Sequence, residues 1–330
     1  MGDGLSKTKN RILKMLVDHQ NEYLSGQKIC DCLGCSRTAV WKHIKDLQKE
    51  GFKIDSVQKK GYRMTAPSHH LSEANILSSL KTKKLGHNLK FHETLPSTQK
   101  EAHHLAEDGA ADGTLVVADE QSTGRGRLGR EWHSPMGTGI WMSLIIRPDI
   151  ALHQTPQLTL LTSVAVVKAI HDITGVECGI KWPNDILYNG KKIVGILTEL
   201  QAEASHVKAI IIGIGMNVNA DAADFPDELK KRAASIKSLT GREHDRPAII
   251  QAILKHFELL YNTYLEEGFE IIKLLWESYA LSLGKEIYAR TVKGDTIKGL
   301  AKGIDDEGVL LLETRDGTVH HIYSADIEII

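Results

Sequence analysis

Apolar residues are spaced in three different ways along these 330 residues, and the three spacings call for three differently built units. Up to about residue 66 they recur at helical intervals in short runs. Residues 10–17 carry one such stripe, Ile29 and Leu33 lie one turn apart in a run from Gly26, and Val40, Ile44 and Leu47 form a third stripe over 36–51. From about Leu89 strands alternate with helices. Strands are predicted over 114–119, 139–147, 178–181, 192–200 and 207–219, and helices over 158–173, 249–267 and 271–280. After Lys285 short strands are broken at Gly294, at 305–308 and at 315–317, the spacing of a small antiparallel barrel. The expected architecture is therefore α+β and multidomain, with units over 1–66, 67–282 and 283–330. A linker is expected at 66–70, followed by a helix over 72–80 that Ser72 caps.

Charge separates the first unit from the rest. The net charge of −1 conceals 13 Lys and Arg against 7 Asp and Glu in residues 1–66, with an acidic excess in the remainder. A basic small unit points to phosphate backbones. Its pattern is more specific still: a short helix, Gly34 as a left-handed stop, and a helix capped by Ser36 make a helix-turn-helix from Gly26 to Lys45. The outer face of the second helix offers Arg37, Thr38, Lys42, His43 and Lys45. A hairpin follows, with Lys59 and Lys60 at its tip, which is a wing. Protein–protein docking is the other use of such a unit. Cys30, Cys32 and Cys35 could bind zinc with His19, but a fourth ligand with sensible spacing is missing, so packed thiols are expected. Three crowded cysteines are not a disulfide framework, residues 1–7 carry no secretion signal, and no run is long enough to cross a bilayer. A cytoplasmic protein with no membrane partner is expected.

The segment from Gly124 to Trp132 holds three glycines and three arginines in nine residues and has little means of burying itself. Gly124, Gly126 and Gly129 leave backbone amides accessible, while Arg125, Arg127 and Arg130 surround them with fixed charge. The segment suits an anion that brings its own apolar body, with Trp132 as an aromatic surface; the alternative is a solvated surface loop. A second cluster, Lys181-Trp182-Pro183-Asn184-Asp185, and then Lys192, favours the anion. Trp182 is expected to pack, and Asn184 and Asp185 also fit an ordinary turn. Gly213-Ile214-Gly215-Met216-Asn217 has only half of a dinucleotide fingerprint, which argues against a Rossmann site. His103, His104, His320 and His321 are expected to be solvated.

With these motifs placed, the whole chain resembles the bifunctional biotin–protein ligases that also repress the biotin operon. Gly-Arg-Gly-Arg-x-Gly-Arg with Trp132, then Lys-Trp-Pro-Asn-Asp, then a strand with Lys192, carries the resemblance. It implies a winged helix, a mixed α/β catalytic domain and an SH3-like barrel. It implies an ATP-dependent biotin–protein ligase that forms biotinyl-5′-AMP, using Mg²⁺, and transfers biotin to a lysine of the biotin carboxyl carrier protein of acetyl-CoA carboxylase. By the same resemblance Ser97, Thr98, Gln99, Gln121, Arg125, Gly126, Arg127 and Lys192 meet biotin, with relatives often carrying Asn at the place of Gln99. Arg125, Arg127, Arg130, Trp132, Lys181 and Asn217 meet the adenylate. Lys192, Arg127 and Asp185 act in catalysis, Asp185 as a candidate Mg²⁺ ligand. The resemblance further implies operator DNA as a partner and a homodimer when the adenylate is bound. A ligase without repressor activity and a lipoate-type acyl ligase are the alternatives.

Overall fold

A computed structural model describes residues 2–19, 21–49, 51–66, 70–203, 206–291 and 294–330. The chain divides into two compact units, residues 1–81 with 245–251, and residues 82–244 with 252–330. The linker expected at 66–70 lies largely outside the described residues.

In the first unit helix α1 (Gly2–Asp18) is followed by α2 (Gly26–Leu33), α3 (Arg37–Lys49) and a hairpin of β1 (Lys53–Val57) and β2 (Gly61–Ala66). The punctuation is as predicted. Gly34 ends α2 at φ 63° and returns its N–H to the Cys30 carbonyl, and Ser36 Oγ accepts from the Ala39 N–H at the start of α3. Ile12, Leu13, Leu16, Ile29, Val40, Ile44 and Leu47 close one core with Phe52, Ile54 and Met64 from the hairpin. Helix α4 (Glu73–Ser78), capped by Ser72, adds Ala74 to that same core. Gly61 is needed where it stands. Its φ is 106°, and a Cβ there would lie 2.0 Å from the Leu24 carbonyl oxygen, because Leu24 and Tyr62 exchange backbone hydrogen bonds. One expectation fails: His43 is buried rather than on the outer face of α3, since it falls beside Ile44 on the core side.

The second unit is built on a seven-stranded sheet. Its elements in chain order are β3 (Leu89–Leu95), α5 (Thr98–Glu107), β4 (Leu115–Gln121), β5 (Gly139–Ile146), α6 (Thr155–Thr174), β6 (Gly179–Lys181), β7 (Asp185–Tyr188), β8 (Lys191–Glu203) and β9 (His206–Asn217). The spatial order is β3-β4-β5-β9-β8-β7-β6, with β3 parallel to β4 and every other pair antiparallel. The apolar run of α6 lies against one face, where Thr159 donates to Thr198 of β8 at 2.8 Å. Helix α5 covers part of the other face. Strand β7 was not predicted, because its four residues sit between two turn signals. Asp185 therefore opens a strand instead of closing a turn.

After α7 (Ile236–Thr240), α8 (Arg246–Glu267) and α9 (Glu270–Tyr279) come β10 (Glu286–Thr291), β11 (Thr296–Ile304), β12 (Leu310–Glu313), β13 (Val319–Ile322) and β14 (Ala325–Ile329). These last strands form an antiparallel sheet in the order β13-β12-β11-β10-β14. Its edge strands β13 and β14 are neighbours in sequence, the arrangement of a small barrel opened at one seam.

Candidate active site and nucleic-acid interface

Cross-strand register assembles the site floor. Lys181, Asp185, Gly195, Gly215 and Trp141 are successive partners across β6, β7, β8, β9 and β5, so they share the sheet face opposite α6. Two residues along, Leu197, Gly213 and Ser143 make a parallel row on the same face. The three glycines leave a shallow bed that other side chains fill. A Cβ on Gly215 would lie 2.5 Å from Trp132 Nε1, one on Gly195 would lie 2.8 Å from the Trp132 ring, and one on Gly213 would lie 2.5 Å from Gln99 Oε1. The half-fingerprint in the sequence thus reflects close approach by an aromatic ring and an amide.

The arginine–glycine segment, expected to be unable to bury itself, folds into a tight hairpin. The Trp132 N–H bonds to the Gly124 carbonyl and the Gly126 N–H to the Arg130 carbonyl, with Leu128 and Gly129 at positive φ in the tip. Its arginines find partners inside the second unit. Arg127 donates to Asn184 Oδ1 at 2.9 Å and to Ser324 Oγ at 2.7 Å, and Arg130 pairs with the Asp326 carboxylate. Burial pulls the Arg127 guanidinium below its usual range, opposed by the nearby Asp185 and Asp326. The bond from Arg130 holds the Asp326 carboxyl below the ordinary carboxylate value. Arg125 stays exposed.

Trp132 lies under a cation, with Lys192 Nζ 5.2 Å from its ring centroid. The same ammonium is 2.6 Å from Asp185 Oδ1. That oxygen makes no aligned hydrogen bond, so the contact is charge pairing without hydrogen-bond alignment. Backbone bonds to Arg232 and Ala234 hold Lys192 in place. Asn217 ends β9, buried, opposite Gly139. Trp182 packs as expected, donating to the Gly308 carbonyl.

At the far end of the floor a buried polar chain begins at the start of α5. Gln121 Oε1 accepts from the Thr98 N–H at 2.8 Å, and Gln121 Nε2 donates to Ser134 Oγ at 2.9 Å. Thr98 Oγ1 and Ser143 Oγ are 3.0 Å apart, and Ser143 donates to Gln99 Oε1 at 3.0 Å. Gln99 Nε2 reaches Glu199 Oε2 at 3.0 Å and the Ile211 carbonyl at 3.2 Å. His103, expected to be solvated, bonds Glu199 at 3.0 Å and holds its carboxyl low. Ser97 Oγ and Trp132 Nε1 are buried without partners. Two unsatisfied polar atoms beside a glycine bed are what a polar ligand would complete. Ser324 and Asp326 were missed by sequence reasoning, Asn184 was read only as part of the Lys-Trp-Pro-Asn-Asp cluster, and Ser134 and Ser143 fitted the motif pattern without an assigned role. The C-terminal pair lies almost 200 positions from its arginines and carries no local signal.

In the first unit Thr38, Lys42, Lys45, Lys59 and Lys60 are exposed as expected. Arg37 is exposed but engaged, donating twice to Gln27 Oε1, which ties α3 to α2. Trp41, unremarked in the sequence, lies on α3 at 55% exposure. Lys60 and Arg63 lean on the Tyr23 ring at the base of the wing. The thiols of Cys30, Cys32 and Cys35 are free, and no three metal-ligating side chains converge among the described residues.

Residues 91–217 match the model of the Biotin/lipoate A/B protein ligase family, residues 8–63 that of an HTH domain, and residues 282–329 that of the Biotin protein ligase C terminal domain. The chain is 56% identical over 324 residues to the bifunctional ligase/repressor BirA of Bacillus subtilis, covering 98% of this chain and 99% of that one. Identity to the Escherichia coli protein of the same description is 27%, over 90% of each chain. Among solved structures, the biotin protein ligase from Aquifex aeolicus in complex with biotin and ATP superposes with a TM-score of 0.65 at 33% identity, over 74% of this chain and 99% of that one.

Proposed function

The chain belongs to the biotin/lipoate A/B protein ligase family, in its bifunctional ligase/repressor branch, and we propose that the glycine floor is where it activates biotin with ATP. One observation carries this reading: four distant segments, 97–99, 124–132, 184–185 and Lys192, meet over Gly195, Gly213 and Gly215.

Joining a carboxylate to a triphosphate brings two repelling anions together. Arg125, Arg127, Arg130, Lys181 and Lys192 supply the opposing charge, while the Gly126 N–H is spent on the Arg130 carbonyl and shapes the hairpin instead. A biotin carboxylate oxygen attacks the α-phosphorus, pyrophosphate leaves, and the mixed anhydride biotinyl-5′-AMP forms. A carrier-protein lysine amine then attacks the acyl carbon, AMP leaves with the bonding pair, and an amide remains. No protein nucleophile is needed. Ser97, Thr98 and Gln121 meet the ureido head, and Trp132, Lys181 and Asn217 the adenylate. Lys192 is already poised over Trp132, and it exchanges Asp185 for ligand oxygens as they arrive. Asp185 is then a single available carboxylate. That donor set fits an Mg²⁺ ion that comes bound to the nucleotide: Asp185 would hold it, and it would supply neutralisation of phosphate charge.

The winged helix is proposed to place α3 in the major groove of an operator, with the wing lysines on phosphates. A homodimer formed with the adenylate would read a palindrome, and a carboxyl carrier protein in the cytoplasm would compete for the same adenylate. Incubation with biotin, ATP, Mg²⁺ and a carrier domain, read by intact mass, is expected to add one biotinyl group. Failure of both biotin and ATP consumption overturns the ligase reading. An operator gel shift that appears only with biotin plus ATP is expected, and no shift under either condition removes the repressor role.

A further inference from the structure

Helix α3 carries one exposed residue that neither the core nor the basic charge of the first unit explains. Thr38, Lys42, Lys45 and Lys49 project away from the buried Val40, Ile44 and Leu47. Arg37, Trp41 and Lys45 follow one another at intervals of four, a row along the flank of that outer face. Gln48 on the same flank donates to the Ile54 carbonyl of β1, so this is the side of α3 that faces the wing. An open depression lined by Arg37, Val40, Val57, Lys59 and Tyr62 lies between the helix and the hairpin. Among the described residues of the first unit two large apolar side chains are exposed, Trp41 and, at 38%, Val57. Both therefore stand on the side that carries the exposed lysines of α3 and the wing. Among the described residues, nothing bonds the Trp41 indole N–H or stacks on its ring.

The neighbours of Trp41 narrow what could cover it. Arg37 spends its Nε and Nη2 on Gln27 Oε1, so it braces the turn between α2 and α3 and its fork is not free for a base. Lys42 and Lys45 are flexible point charges suited to phosphate oxygens, which hold a protein on a duplex without reading it. Reading then falls to Thr38 and Trp41. An indole left this exposed keeps on the order of 100 Å² of apolar surface in water. In a major groove the one apolar group is the thymine 5-methyl, and O4 beside it is an acceptor. The indole has the matching edge, an apolar ring with one N–H donor. We propose that Trp41 is a specificity-determining residue that reads a thymine in the major groove by covering its methyl group. The proposal rests on the operator reading above, and the lysines around the indole favour a nucleic acid over a protein partner.

The test is a cycle between protein and DNA. The probe is a duplex that the full-length protein, with biotin, ATP and Mg²⁺, selects from a random-sequence pool. Each thymine of that duplex is replaced in turn by deoxyuridine, which removes the methyl group and keeps O4. In the wild type one such replacement per half-site is expected to weaken binding about fourfold, the worth of one buried methyl group. Trp41→Ala is expected to bind the unmodified duplex about tenfold more weakly, and the same deoxyuridine is expected to cost it nothing further. Its affinity for a scrambled duplex and the salt dependence of binding should match the wild type, because no phosphate contact is lost. Trp41→Phe is expected to keep the response to deoxyuridine. If Trp41→Ala does not fold, Trp41→Gln stands in with the same expected results. Deoxyuridine without effect at every thymine, or with the same cost in both proteins, overturns the proposal. So does an equal loss on the selected and scrambled duplexes. Loss of self-association by Trp41→Ala without DNA, seen by sedimentation, would make the indole a protein contact and overturn it as well. A wild type that selects no duplex overturns the repressor reading together with the proposal.

Discussion

At the scale of single residues, the site depends on atoms that are missing. Gly195, Gly213 and Gly215 sit within long strands, where glycine usually weakens pairing, and each is required because a side chain from another segment occupies the space of its Cβ. Gly215→Ala sets a methyl group 2.5 Å from Trp132 Nε1. The indole must move, and Lys192 loses the ring beneath it. The expected outcome is a fall of about tenfold or more in kcat/KM for adenylate formation, because misplaced positioning groups cost that much. A thermal melt close to wild type should accompany it, since the strand itself gains a better former. Wild-type pyrophosphate release from Gly215→Ala would show that the position of Trp132 is immaterial. Composition reveals the glycines but not their visitors, which is why the Gly213–Asn217 run resembled a weakened nucleotide motif in the sequence.

At the scale of elements, helix α3 shows how far periodicity reaches. Its core stripe and caps were legible because they repeat every turn, while His43 was misplaced because a polar residue next to the stripe reads as exposed. Burial lowers the His43 pKa below the ordinary imidazole value of about 6.5, with Lys9 and Lys42 acting in the same direction and Asp46 opposing. The folded helix thus keeps the ring neutral where the unfolded chain binds a proton. The associated stability is whole above that value and is lost as pH falls through it toward the folded pKa. Amide hydrogen exchange of α3 in the full chain is expected to speed up on going from pH 7.5 to about pH 5.5, after correction for the intrinsic rate, and His43→Gln is expected to flatten that dependence. An equal pH response in both proteins would dissociate His43 from it. Strand β7 marks the opposite limit: four residues between Pro183 and an Asn-Gly turn are too few to show a period, and pairing with β6 and β8 defines them.

At the scale of the whole molecule, the three spacings along the sequence correspond to a winged helix, a mixed sheet and a terminal antiparallel sheet. The polar half of the site was legible from motif spacing, whereas its supports were not. Arg127 and Arg130 are secured by Ser324 and Asp326, residues that a different sheet supplies. The Arg130–Asp326 pair is largely exposed, so Asp326→Ala is expected to change global stability by less than about 1 kcal/mol. Its effect should be local. The arginine hairpin contains trypsin sites, and Asp326→Ala is expected to raise the rate of cleavage between Arg125 and Arg130 by roughly tenfold. An unchanged digestion pattern would mean the pair does not restrain the hairpin. Because Arg130 depresses the Asp326 pKa, the restraint is present at neutral pH and is lost only as pH falls through that lowered value.

The same pairings have a consequence for selectivity. Lys192 rests on Asp185, Arg130 on Asp326, and Arg127 on Asn184 and Ser324. On the proposed reading, each of these cations is already screened by an internal surrogate for the anion it would meet. A stray phosphate or a nucleic-acid backbone finds these three cations already engaged and must displace their partners one at a time, with little return for each. A ligand that presents carboxylate, phosphates and an apolar body together displaces them as a set. The resting protein is thereby a competitor in its own binding equilibrium, one that weak anions lose to and the matched ligand overcomes.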